Sequence, residues 1–193
     1  MKKISFKSEE KIILLVLLFI SLISFFIDDY AINLMNFIRN VFFDYPLSVF
    51  SLTLALFIPL LVLTSVYLYV KNKKEGILPL WISFIVTFLI VYAIKFIVQR
   101  PRQTGEMFTA LFHLSDYSFP SAHAALSFCI LAVIDEEFRK LKIFWLSLAI
   151  VIIFSRVYFQ YHYFSDVAFG ALIGYGIGMI VIRKFENRKT KSL

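Results

Sequence analysis

Long apolar runs alternate with short polar intervals along this chain. The runs occupy roughly residues 11–28, 48–70, 77–98, 121–135, 141–160 and 166–183. Crossing ~30 Å of hydrocarbon takes roughly 20 helical residues at about 1.5 Å each. The pattern therefore predicts an all-α, polytopic bundle of six transmembrane helices, forming a single membrane-embedded domain over residues 1–193. The fourth run is short if it begins at Ser121, so its start is expected below the membrane surface. Between the first two runs, "DDYAINLMNFIRNVFFDYP" is mixed and aromatic, which predicts an amphipathic helix lying in the interface. No repeat, linker or soluble domain interrupts this order.

Composition points the same way. Of the 193 residues, 60% are hydrophobic and 17% charged, against about a quarter charged in soluble domains. The mean hydropathy is +0.81. The N-terminal "MKKISFKSEEKIILLVLLFISLISFFIDD" has the basic start of a signal peptide, but no small-x-small cleavage site follows it. It is expected to stay as the first membrane helix. The single cysteine, Cys129, lies inside an apolar run and is expected to serve packing.

The net charge of +7 does not predict nucleic-acid binding, because the basic residues sit in clusters at the ends of apolar runs, where headgroups meet them. With six crossings and an inner N-terminus, fifteen of the 20 basic residues fall on the inner side. Both termini are then expected in the cytoplasm. The outer side keeps Arg39, Lys95, Arg100, Arg102 and Arg156, together with all three histidines, His113, His123 and His162. Cations that break the orientation rule point to an anion.

Three motifs share that outer side. In "KFIVQRPRQ", Lys95 and Arg102 are seven residues apart and would share a face if the helix continued, although Pro101 disturbs that turn. The plainer reading is a basic snorkelling cap. In "FPSAHAALSF", Ser121 after Pro120 reads as an N-cap, with Ala122 and His123 in a first turn able to hold an anion. The plainer reading is an interfacial histidine. In "SRVYFQYHYFSD", Asp166 follows His162 by four residues, so a helical turn would let the carboxylate take the imidazole N–H. That bond fixes the tautomer and leaves the other ring nitrogen as nucleophile or base. A structural ion network is the alternative. Taken together, three cations, a helix start and two histidines describe a phosphate-transfer site.

The set resembles the type 2 phosphatidic acid phosphatase superfamily, the lipid phosphatases related to vanadium haloperoxidases. Ser155, Arg156, His162 and Asp166 match that family's third motif in full. Pro120, Ser121 and His123 match the second, with Ala122 in place of glycine. Lys95 and Arg102 match the first, with Gln103 in place of proline, which leaves Arg100 as a possible substitute for Arg102; the spacing favours Arg102. The motifs cover residues 95–166 in order.

The resemblance implies that His162 attacks phosphorus and forms a phosphohistidine while Asp166 orients it. It implies that His123 protonates the leaving oxygen and then activates water. Lys95, Arg102, Arg156, Ser121 and the backbone near Ala122 would bind the phosphate oxygens. It implies a lipid phosphate or diphosphate substrate, with undecaprenyl diphosphate the best fit and phosphatidate or phosphatidylglycerophosphate as rivals, at the outer face of a cell membrane. No cofactor, metal or obligatory protein partner is expected. The three histidines match no compact ligand spacing, and nearby cations would repel a metal. One neutral and one protonated histidine would give a bell-shaped pH profile. A transporter would instead place charges in the middle of the runs, where none is found. Gly170, Gly174 and Gly178 in the last run are expected to serve close helix packing.

Overall fold

The structure is a computed structural model, and it describes residues 6–51, 57–103, 117–137 and 142–189. Seven α-helices account for nearly all of these residues: α1 (Ser8–Ile38), α2 (Val41–Ser51), α3 (Phe57–Val70), α4 (Ile77–Val98), α5 (Ala122–Glu137), α6 (Lys142–Tyr158) and α7 (Phe164–Lys189). Three stretches, Ser8–Ile38, Lys74–Val98 and Phe164–Asn187, are long and apolar enough to cross a membrane. The protein is an all-helical membrane protein with seven α-helices among the described residues, where six membrane helices and one interfacial helix were expected.

Helix α1 corrects the expected boundary of the first run. It continues through Asp28 and Asp29 to Ile38, absorbing half of the stretch assigned to an interfacial helix, and only the shorter α2 follows. A carboxylate inside an apolar helix is costly unless it is partnered, and Asp28 is partnered. The buried side of α1 carries Ser21, Ser24, Asp28, Ala31 and Met35, spaced three or four residues apart as one helix face requires. The Ser21 and Ser24 hydroxyls donate to the carbonyls of Leu17 at 2.7 Å and Ser21 at 2.6 Å. The opposite side is apolar and bare, with Phe26 89% exposed. The pattern is that of a helix in lipid: polar atoms inward, hydrocarbon outward.

Helix α5 sits at the centre. Every residue from Ala124 to Ile134 is buried, as fits a helix that is apolar on all sides. It packs against α4, α6 and α7, and α1 packs on the far side of α7. Cys129 lies within this core. The contact of α5 with α7 depends on glycine. A β-carbon at Gly170 would lie 2.5 Å from the Ser121 carbonyl oxygen, one at Gly178 would lie 2.7 Å from the Ala132 methyl, and one at Gly174 would overlap the Ala125 carbonyl. These are backbone-to-backbone approaches that small residues permit. Gly176 faces elsewhere, with Leu14 Cδ2 at 3.8 Å from its would-be β-carbon.

At the other end of the bundle, Arg183 of α7 pairs with the buried Glu10 of α1 and with Glu186. Gly174→Ala is expected to destabilise the protein by about 1–3 kcal/mol through overpacking, whereas Gly176→Ala should stay within about 0.5 kcal/mol. Melting curves in detergent check both.

Candidate functional site

The site forms where the C-terminal ends of α4 and α6 meet the N-terminal ends of α5 and α7. Helix α4 stops at Val98 because Gln99 turns left-handed, with φ 51°, and its N–H returns to the Lys95 carbonyl at 3.0 Å. Pro101 then keeps Arg100 out of helical conformation. Lys95 and Arg102 therefore do not share a helix face, contrary to the expectation from their spacing; the turn brings them together instead. Lys95 is buried, and its Nζ donates to the Tyr117 and Ser118 carbonyls at 2.5 and 3.2 Å. It pins the strand of chain that leads into α5.

That strand reaches Ser121, whose N–H donates to the Asp166 carbonyl at 2.9 Å and whose Oγ accepts the Ala124 N–H at 3.5 Å. Ser121 thus caps α5 while tying it to the start of α7. Ala122 and His123 follow in the first turn, where N–H groups have no partner within the helix. The His123 ring packs against Phe57, with centroids 5.7 Å apart.

Arg156 closes the far side. It is 1% exposed, and its guanidinium lies 4.7 Å from the centre of the Tyr161 ring. Its carbonyl accepts the N–H groups of Tyr161 and His162 at 3.1 and 3.3 Å, which folds the chain tightly after α6. His162 lies in this turn, just ahead of α7, so the pair with Asp166 bridges a turn and a helix start. His162 Nδ1 lies 3.5 Å from Asp166 Oδ2. Its Nε2 faces Arg102, whose Nη1 stands 3.4 Å away and donates to the Tyr161 carbonyl at 2.6 Å.

Burial holds the His162 imidazole well below its ordinary pKa of 6.5, and the charges of Arg102, Lys95, Arg156 and His123 push it further the same way. The ring is therefore neutral, with a lone pair to offer, in the middle of a cationic ring. Five sequence-predicted residues, Lys95, Arg102, His123, Arg156 and Asp166, converge with His162 here. His113 lies outside the described residues. Among the described residues, no three His, Cys, Asp or Glu side chains gather as metal ligands would.

The sequence reading missed Asp28 and left the part played by Arg100 open. Arg100 does not substitute for Arg102. Its Nη1 donates to Asp166 Oδ1 at 2.8 Å and to Ser165 Oγ at 2.6 Å, while its Nη2 donates to Asp28 Oδ2 at 2.9 Å. Asp28, on α1, also accepts the Ser165 N–H at 2.8 Å and the Ser165 hydroxyl at 2.6 Å. The only signal for Asp28 in the sequence was an aspartate at the end of an apolar run.

Comparison with known proteins places this arrangement. The BcrC protein of Bacillus licheniformis, described as a bacitracin transport permease protein, is 44% identical over 62 residues, which is 32% of this chain and 30% of that protein. The chain thus matches under a third of the length of that relative. The transmembrane PAP2-type phosphatidylglycerolphosphate phosphatase of Bacillus subtilis superposes with a TM-score of 0.69 at 20% identity, over 91% of this chain and 96% of that one. LpxE of Aquifex aeolicus superposes with a TM-score of 0.65 at 26% identity, over 81% and 94%. The family model of the PAP2 superfamily matches residues 76–190, which span α4 to α7 and every side chain of the site except Asp28, and the chain belongs to that superfamily.

Proposed function

We propose that the protein is a lipid phosphatase that works through a phosphohistidine on His162. The observation that carries this reading is a buried, neutral imidazole with one nitrogen toward Asp166 and the other toward a guanidinium. Phosphoryl transfer needs positioning and charge stabilisation more than covalent help from the protein. In the proposed reaction, His162 Nε2 attacks the terminal phosphorus and the bond from that phosphorus to the bridging oxygen, which stays with the lipid monophosphate, breaks. His123 gives its proton to that oxygen. Asp166 holds the Nδ1 proton and balances the charge that the ring acquires. A water, deprotonated by His123, then attacks phosphorus, the P–N bond breaks, and phosphate leaves with His162 neutral again. Lys95, Arg102 and Arg156, with Ser121 and the first-turn amides at Ala122, hold the equatorial oxygens. These fixed cations take the part that magnesium plays in other phosphoryl-transfer sites.

The membrane arrangement belongs to the same proposal. Six segments cross, α2 lies in the interface, both termini face the cytoplasm, and the site opens to the extracytoplasmic side. The basic residues of the inner ends and the bare Val41, Phe42, Phe43, Tyr45 and Val49 of α2 support this. The substrate is a lipid phosphate, best a polyprenyl diphosphate such as undecaprenyl diphosphate, cleaved to the monophosphate.

Phosphate release from undecaprenyl diphosphate, phosphatidate and phosphatidylglycerophosphate by the purified protein tests the reading. Turnover is expected on the polyprenyl diphosphate, and His162→Ala should remove at least about 10³-fold of it; a variant that retained most turnover would overturn the nucleophile assignment. The pH profile gives a second test. Because the folded site depresses the His162 pKa, the ring protonates only well below 6.5. Activity from this group is thus present at neutral pH and lost as pH falls through the depressed value. The acid limb of kcat/KM is expected below the ordinary histidine range, with the alkaline limb set by loss of the His123 proton.

A further inference from the structure

We propose that Asp28, together with Arg100, forms a positioning relay that sets the charge and placement of Asp166 and, through it, of His162. This rests on the phosphatase reading of the site. The first ground is geometric. Helix α7 begins at Phe164, so the N–H groups of its first turn need outside partners. Asp166, at the third position, reaches back to the Tyr163 N–H at 2.9 Å, half of a capping box. The Ser165 N–H is taken by Asp28 from a different helix, at 2.8 Å. The carboxylate of α1 thus caps α7 one residue before Asp166.

The second ground is charge. Arg100 lies between two carboxylates, at 2.9 Å from Asp28 and 2.8 Å from Asp166, and its guanidinium stacks 3.7 Å from the centre of the Tyr163 ring. The planar fork, held flat on an aromatic face, has a fixed direction. With both carboxylates ionised, the trio carries one net negative charge. If Asp28 were neutral, the charge of Arg100 would fall wholly on Asp166 and cancel it. Asp166 would then oppose less of the positive charge that forms on the His162 ring during attack. Asp28 thereby keeps Asp166 an effective anion for His162 although it touches neither the ring nor the substrate. Among the described residues, the groups that face His162 are Lys95 from α4, Arg102 after α4, His123 from α5, Arg156 from α6 and Asp166 from α7; α1 acts on it through Asp28, by way of Arg100, which follows α4.

The test uses the full chain in detergent with Asp28→Asn, which keeps a cap for Ser165 but removes the charge, and with Asp28→Asn/Arg100→Gln, which restores the net charge of the trio. Hydrolysis of the best lipid of the panel is measured together with the melting temperature. The titration of His162 is read by NMR on ¹⁵N-histidine protein, assigned with His162→Ala. Asp28→Asn is expected to lower kcat about tenfold with KM changed less than about twofold, and to shift the His162 titration to lower pH, as one unit of pKa corresponds to tenfold. Melting should hold, and the double variant should recover most of the lost kcat. The proposal is overturned if Asp28→Asn leaves kcat and the titration unchanged, if kcat falls only in step with melting, or if the double variant, assayed below its own melting temperature, is no better than the single. Should the wild-type protein cleave none of the lipids, the phosphatase reading fails, while a shifted His162 titration in Asp28→Asn would still support the relay.

Discussion

A carboxylate sealed from water must be neutralised by its neighbours, and the fold of this protein follows from how that is done for Asp166. Its side chain has no exposed surface. It is held by Arg100 and by the Tyr163 N–H, with His162 Nδ1 3.5 Å away, while its backbone carbonyl receives the Ser121 N–H. These partners arrive from the end of α4, the turn before α7 and the cap of α5. Removing one member of a buried pair costs about 3–5 kcal/mol because the other is left unpaired. The arrangement therefore holds as a unit, and it sets where three helices end.

The cations around His162 behave differently. Lys95 and Arg102 donate to the backbone carbonyls of Tyr117 and Tyr161, and the charges of both push the His162 imidazole toward its neutral form. Like charges gathered in this way repel one another, and only a rigid frame keeps them together. The tight contact of α5 with α7 provides the stiffness this needs. With Gly170 and Gly174 against the backbone of α5, the helix that carries His123 and the helix that carries Asp166 share one rigid seam.

Much of this was legible from residues 95–166 alone. The four-residue step from His162 to Asp166, the N-cap pattern at Ser121 and the outward cations identify the side chains that the structure gathers. The parts that were not legible depend on contacts between distant positions. Asp28 and Arg100 are 72 residues apart, and an aspartate pair after an apolar run reads as a helix end when its partner is unknown. The extent of α1 was misjudged for that reason. The left-handed Gln99 was equally hidden, because a non-glycine residue gives no local sign of that conformation, and the idea of Lys95 and Arg102 on one helix face failed there. The fourth run reads as short from its start at Ser121, and α5 is short, but its burial by α4, α6 and α7 could not be read from composition.

The encasement of α5 constrains how the protein is made. Its apolar stretch, Ala122–Ile134, reaches about 20 Å at about 1.5 Å per residue, short of a bilayer by roughly a third. Such a segment has little reason to partition into lipid by itself, and its snuggest neighbour, α7, follows it in the chain only after α6. Biogenesis must therefore hold α5 in a provisional state until α7 has followed it, and the cluster of side chains around His162 comes together only then.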